Sequence, residues 1–268
     1  LLNSGQHYLE KPNQSWWSTT NIYNHNNTLI SICTDRCRHF ILLRRNTTVL
    51  KKCGQYQDLI SLSIGYNDGY TYMDKKLYGN NTRTSGPFFS PSELINIDNI
   101  FNKKYDYTLV LDCDTKVQKN SIKKMLSVAV ANPEYTIFQP RIDLYSIQTL
   151  FQYFQLLWLK YSNITYARTC SFMGHSAFFG KGLIHNKSYF DQCIGTPENP
   201  VEYVPSDALS HDTFEAMCVP VLYLPNIALL ETAPKSYISW NIRELRWNIG
   251  ELIVAKHIFP NFTSLNVK

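Results

Sequence analysis

The chain has 268 residues, 44% of them hydrophobic, which is enough to bury a sizeable core as one large domain. The formal net charge of +5 is spread over scattered basic residues and short pairs such as Lys51-Lys52 and Lys123-Lys124, and without a long basic run nucleic acid is not an expected partner. No segment approaches the roughly 18 apolar residues of a membrane-spanning helix. The seven cysteines, odd in number and without a C-x-x-C pair, read as reduced thiols rather than a disulfide framework or a zinc site.

The first stretch, LLNSGQHYLEK, lacks the basic start and apolar run of a signal peptide. It also lacks an initial Met, as a piece of a longer, membrane-anchored protein would. Residues 1 to about 60 are polar, and the apolar patches TLISIC and HFILL are candidates for short strands. Residues 60–95 hold GYNDGY and YGNNTRTSGPFFSPSE, whose Gly, Asn, Pro and Ser read as loops.

From residue 93 the pattern sharpens. SELINIDNIFNKK predicts a helix capped by Ser92. YTLVL is a continuous apolar run, as in a strand buried on both faces. KNSIKKMLSVAVAN predicts a helix with Ile122, Met125, Leu126 and Ala129 inward, stopped at Asn132-Pro133. YTIFQP predicts a second buried strand. SIQTLFQYFQLLWLKY predicts a long helix with Leu150, Phe154, Leu157 and Tyr161 among its apolar positions. Alternating strands and helices imply an α/β fold with a mostly parallel sheet covered by helices on both faces. In such sheets ligands bind beyond the carboxyl ends of the strands.

Four stretches carry candidate chemistry. The first is Asp112-Cys113-Asp114, directly after the YTLVL strand. Residues i and i+2 of a strand share a face, so both carboxylates can reach one ligand. Two carboxylates so close repel and call for a cation, here Mg2+ or Mn2+ held on Asp112 and Asp114 with substrate phosphates. A solvated turn accounts for the pair equally well. The second is MGHSAFFGKG, read as an apolar strand bracketed by glycines, with Lys181 taken as a turn residue. The third is DALSHDTFEAM, with Ser210 capping a helix from Thr213 to about Cys218. Asp212 is then either a favourable charge in the first helical turn or a general base, and His211 would orient it or touch substrate. The fourth is PKSYISWNIRELRWNIGELI, a helix capped by Ser236. Its Arg243 and Arg246 can hold a diphosphate and its Trp247 can floor a sugar site, although an amphipathic surface helix has the same pattern.

Taken together and in this order, the stretches resemble the family 2-like inverting glycosyltransferases. VLDCDT, FQPRI, SAFFGKGLI, PEN and LSHDTFEA resemble segments of the glycosyltransferase module of cyclic β-1,2-glucan synthases. MGHSAFFG, LSHDTFEA and RELRW resemble the osmoregulated periplasmic glucan glucosyltransferases. The resemblance covers roughly residues 105–253. It implies a GT-A fold over the single domain 1–268, a UDP-sugar donor such as UDP-glucose, a glucan acceptor and a divalent metal. It also implies a membrane association, made through segments outside this sequence, that keeps the active site facing the cytoplasm. By resemblance Asp112 contacts the nucleotide sugar, Asp114 the metal–diphosphate and Asp212 the acceptor proton, while Arg243, Arg246 and Trp247 hold diphosphate and acceptor. Residues 1–90 show no counterpart of the family's first nucleotide-binding strand. Two other readings compete: a catalytically inactive nucleotide-sugar-binding domain that regulates a polysaccharide synthase, and a glycoside hydrolase pairing Asp212 with Glu231.

Overall fold

A computed structural model describes residues 18–25, 28–35, 38–41, 51–64, 105–195 and 212–258. The first three strands, β1 (Ser18–His25), β2 (Thr28–Asp35) and β3 (Arg38–Ile41), pair antiparallel in the order β1-β2-β3. Two of them coincide with the patches TLISIC and HFILL. Helix α1 (Lys51–Ser63) follows, in a stretch where the sequence signals no element. The predicted helix SELINIDNIFNKK lies outside the described residues.

Among the described residues the remaining strands are β4 (Tyr107–Val110), β5 (Lys116–Val117), β6 (Ile137–Leu144), β7 (Gly182–His185) and β8 (Val221–Glu231), in the order β4-β7-β6-β8-β5. The fold is α/β, but the expected mostly parallel sheet is corrected. Among the described residues only β6 and β8 pair parallel, while β4·β7, β6·β7 and β5·β8 are antiparallel. The reason is topological. Strands β4, β6 and β8 run in one direction, but β7 runs the other way and inserts between β4 and β6. Periodicity along a single strand carries no information about its neighbours' directions.

Alternate residues of each strand bury to opposite faces. Ile137 and Ile184 join one cluster with Ile60 of α1, Tyr189, Phe190, Phe214 and Val221. Phe138 and Leu183 join the other with Leu224, Ile227 and, from helix α2 (Ser121–Ala131), Met125 and Ala129. Helices therefore cover both faces. Each fully buried side chain of the size of Phe138 or Ile184 contributes about 1.5–3 kcal/mol over leaving it in water. Of the residues predicted inward on α2, Met125 and Ala129 are fully buried and Leu126 partly so, but Ile122 is exposed. Asn132 ends the helix as expected.

The parallel pairing of β6 with β8 is broken beside two prolines. Pro140 of β6 stands opposite Leu224 of β8, and the next partner of β6, Arg141, has jumped to Ala228. Neither Pro140 nor Pro225 has an N–H to give the ladder, so a bulge forms there. Arg141 Nη1 reaches across it to Pro225 O at 2.8 Å.

Helix α3 (Leu150–Met173) has 24 residues, longer than the apolar pattern indicated. Thr149 and Gln152 start it with reciprocal side-chain-to-backbone bonds. Gln152 Nε2 also donates to Ala233 O at 2.7 Å, and Thr149 Oγ1 to Lys235 O at 2.9 Å. These bonds tie the start of α3 to the loop leading into helix α6 (Tyr237–Ile258), which Ser236 caps through Ser239 N–H. Leu150, Phe154, Leu157 and Tyr161, among the apolar positions of the predicted helix, are exposed.

The glycine-flanked strand expected within residues 173–182 is also corrected. Gly174, at φ 67, ends α3, and residues 175–181 cross as irregular chain to Gly182, where β7 begins. Two of their backbone donors bond side chains instead of a ladder. Ala177 N–H donates to the Tyr166 hydroxyl at 2.7 Å, and Phe179 N–H to Oε1 of the buried Gln139 at 2.8 Å. Gly182 itself is required by close approach: a Cβ there would stand 2.6 Å from the backbone oxygen of Phe138. Gly182→Ala is expected to push β7 off β6 at a cost of about 2–3 kcal/mol. A lower urea midpoint with unchanged slope would register it, and an unchanged midpoint would show that the strands are not this close.

Candidate functional site

The carboxyl ends of β4, β6 and β8 and the start of β7 lie at one edge of the sheet, where a cavity of about 1430 Å3 opens between α3 and α6. Asp112, Asp212, Arg243, Arg246 and Trp247 all line it. These five sequence-predicted residues, separated by up to 135 positions, are therefore brought to one hollow.

Asp112 lies two residues past the end of β4. A turn holds it: Thr115 N–H donates to Asp112 O at 3.1 Å, and Asp112 N–H to Thr115 Oγ1 at 3.2 Å. Because β4 stops at Val110, the same-face geometry of a strand does not extend to the pair. The Asp112 carboxylate faces Lys52 and Lys181, whereas Asp114 Oδ2 accepts from Thr232 Oγ1 at 3.1 Å. Thr232 lines the cavity, so Asp114 is one hydrogen bond removed from the lining.

The cation that the paired carboxylates call for is, at Asp112, supplied by lysines. Lys52 of α1 pairs with Oδ1 and also donates to Gly180 O at 2.8 Å, while Lys181 pairs with Oδ2 at 2.8 Å and with Glu231 at the end of β8. Two ammonium groups thus face two carboxylates. Burial pushes the Asp112 carboxyl up, but the bonds from Lys181 and Lys52 outweigh it and hold it below the usual carboxylate range. Burial likewise works against the Lys181 ammonium, and its bonds to Asp112 and Glu231 prevail, raising it. Sequence reasoning missed Lys52, one of a pair that reads as solvated, and took Lys181 for a turn residue. Lys181 is instead largely buried, joining the tips of β4 and β8.

Beyond β7 come the short helices α4 (Asn186–Tyr189) and α5 (Asp212–Cys218), and Asp212 opens α5, a residue before the expected start. Its carboxylate packs against Gly180, where a Cβ would meet Oδ2 at 2.8 Å and Oδ1 at 2.9 Å. Gly180 also sits at φ +69, so only glycine satisfies both the backbone and the approach. His211 and Ser210 lie outside the described residues.

From α6, the Arg243 guanidinium stacks over the Trp247 ring at 4.6 Å. Its Nε is buried without a hydrogen-bond partner among the described residues. Burial lowers its proton affinity against the opposing pull of Glu244, Glu231 and Asp114. A buried guanidinium N–H without an acceptor is suited to an anion. Thr213 Oγ1 donates to Glu251 at 3.0 Å and joins α5 to α6, bringing the Asp212 helix and the arginine helix together. Where α3 meets the start of α6 the lining is aromatic, with Phe151 of α3 set edge-on to Tyr237 at 6.1 Å and to Trp240 at 6.5 Å.

Among the described residues no three His, Cys, Asp or Glu side chains assemble as a metal site. Asp112 fits a divalent ion poorly, because each oxygen already faces an ammonium. The exposed Asp114 fits as a single carboxylate ligand, the number Mg2+ takes when substrate phosphates complete its shell. No helix among the described residues is long and apolar enough to cross a membrane. No protein-family model matches this chain, and no curated protein matches it.

Proposed function

We propose that the protein is an inverting glycosyltransferase of GT-A type that moves a sugar, glucose by resemblance, from a UDP-sugar to a growing β-glucan at the cytoplasmic face of a membrane. The observation that carries this reading is the placement of Asp112, Asp212, Arg243, Arg246 and Trp247 around one cavity at the carboxyl edge of the sheet. The acceptor hydroxyl oxygen attacks the anomeric carbon, the bond from that carbon to the diphosphate breaks, and UDP leaves with the electron pair. Asp212 takes the hydroxyl proton. Arg243 and Arg246 receive the diphosphate charge, and the unpartnered Nε of Arg243 gains an acceptor. Asp112, held by Lys52 and Lys181, contacts the nucleotide sugar. Mg2+ or Mn2+ on Asp114 would supply further charge neutralisation at the diphosphate.

The test is UDP binding by calorimetry together with UDP release from UDP-glucose in the presence of Mg2+ or Mn2+. Saturable binding and turnover are expected, and a chain that binds no UDP loses this reading. Binding without turnover would favour the catalytically inactive nucleotide-sugar-binding domain, to which the missing strand counterpart in residues 1–90 points. A hydrolase pairing Asp212 with Glu231 is disfavoured because Glu231 is committed to Lys181.

A further inference from the structure

Helix α3 presents a stripe to the cavity that the roles assigned above leave unused. Phe151, Gln155, Trp158 and Ser162 follow one another at steps of three or four residues, so they share one helical face, and all line the cavity. Trp240 and Trp247 of α6 line it as well. At about 1430 Å3 the cavity exceeds the roughly 300–1,000 Å3 usual for one small ligand. The charged groups of Asp112, Lys181, Asp212 and Arg243 account for a nucleotide sugar, and the α3 wall remains for a second molecule.

The chemistry of that wall is specific. The amide oxygen of Gln155 is buried and accepts no hydrogen bond among the described residues. A buried acceptor without a donor is costly to leave, so it calls for a ligand that brings an O–H or N–H. An acyl chain would fill the space between the aromatic rings but leave that oxygen unsatisfied. A pyranose has both parts required: C–H faces that pack on aromatic rings and hydroxyls that donate. We infer that the α3 side of the cavity is the binding site for the acceptor glucan, and that Gln155 Oε1 accepts a hydrogen bond from a hydroxyl of its terminal sugar. This rests on the transferase reading for the identity of the acceptor, but the sugar-binding wall is testable without it.

The test uses the full chain and a panel of short β-linked gluco-oligosaccharides differing in linkage, followed by quenching of tryptophan fluorescence with and without UDP. Gln155→Met keeps the volume and removes the acceptor oxygen. It is expected to weaken oligosaccharide binding about tenfold while UDP affinity stays the same. Gln155→Glu keeps an acceptor oxygen and is expected to bind within about threefold of wild type. The inference is overturned if Gln155→Met binds the oligosaccharides like wild type, or if wild type binds none of them. A wild-type chain that binds oligosaccharide in a Gln155-dependent way but binds no UDP would end the transferase reading and leave the sugar site standing.

Discussion

Asp212→Asn is expected to bind UDP like the wild type and to lose glucosyl transfer by about 10²–10⁴-fold in kcat. The amide has nearly the shape of the carboxylate, so it can keep the position against Gly180, whose absent Cβ makes room for the Asp212 oxygens. What it cannot do is accept the proton that the acceptor hydroxyl must shed. Binding and catalysis are thereby separated, because the arginines that would hold the donor diphosphate lie on α6 and are unchanged. UDP calorimetry read beside transfer of labelled glucose makes the distinction. Equal turnover in the two proteins would remove Asp212 as the base. Equal loss of UDP binding and turnover would instead make it a structural residue of the cleft.

Lys181→Met should be the most damaging single change to the charged cluster. It leaves the largely buried Glu231 without its lysine and Asp112 with Lys52 alone. Removing one partner of a buried ion pair strands the other charge. With Asp112 about a third exposed, a cost of about 2–3 kcal/mol is expected at neutral pH. The pH dependence follows from the directions of the shifts. Asp112 is lowered in the fold, so its contribution is complete above the unfolded carboxylate value and fades as pH falls through the folded one. Lys181 is raised, so its contribution is complete below the unfolded lysine value and fades as pH rises through the folded one. The gap between wild type and Lys181→Met is therefore widest between about pH 5 and pH 9 and narrows on both sides. Denaturant melts across pH would show this. A gap that is flat into acid would mean that Asp112 is not what Lys181 stabilises.

Much of the fold was legible in the sequence because local rules govern it. The apolar run YTLVL became β4, although at the edge of the sheet with only Val110 buried rather than covered on both faces, Met125 and Ala129 became the buried side of α2, and Ser236 capped α6. Where the local signal failed, a tertiary partner had prevailed. Residues 175–179 have strand-like composition, but the N–H groups of Ala177 and Phe179 are taken by Tyr166 and Gln139, and the ladder starts only at Gly182. Leu150 and Phe154 keep helical spacing, yet that face of α3 meets no core.

The candidate site divides in the same way. Sequence alone determined the residue types and their order: aspartates after a strand, an aspartate at a helix start, arginines and a tryptophan on an amphipathic helix. Each depends only on neighbours within a turn or a strand. Only the tertiary structure decided that Lys52 and Lys181 face Asp112, that Gly180 yields to Asp212, and that the stripe of α3 closes the hollow. These are contacts between groups distant in sequence, and whether a charge is solvated or paired depends on what the fold places within a few ångströms of it.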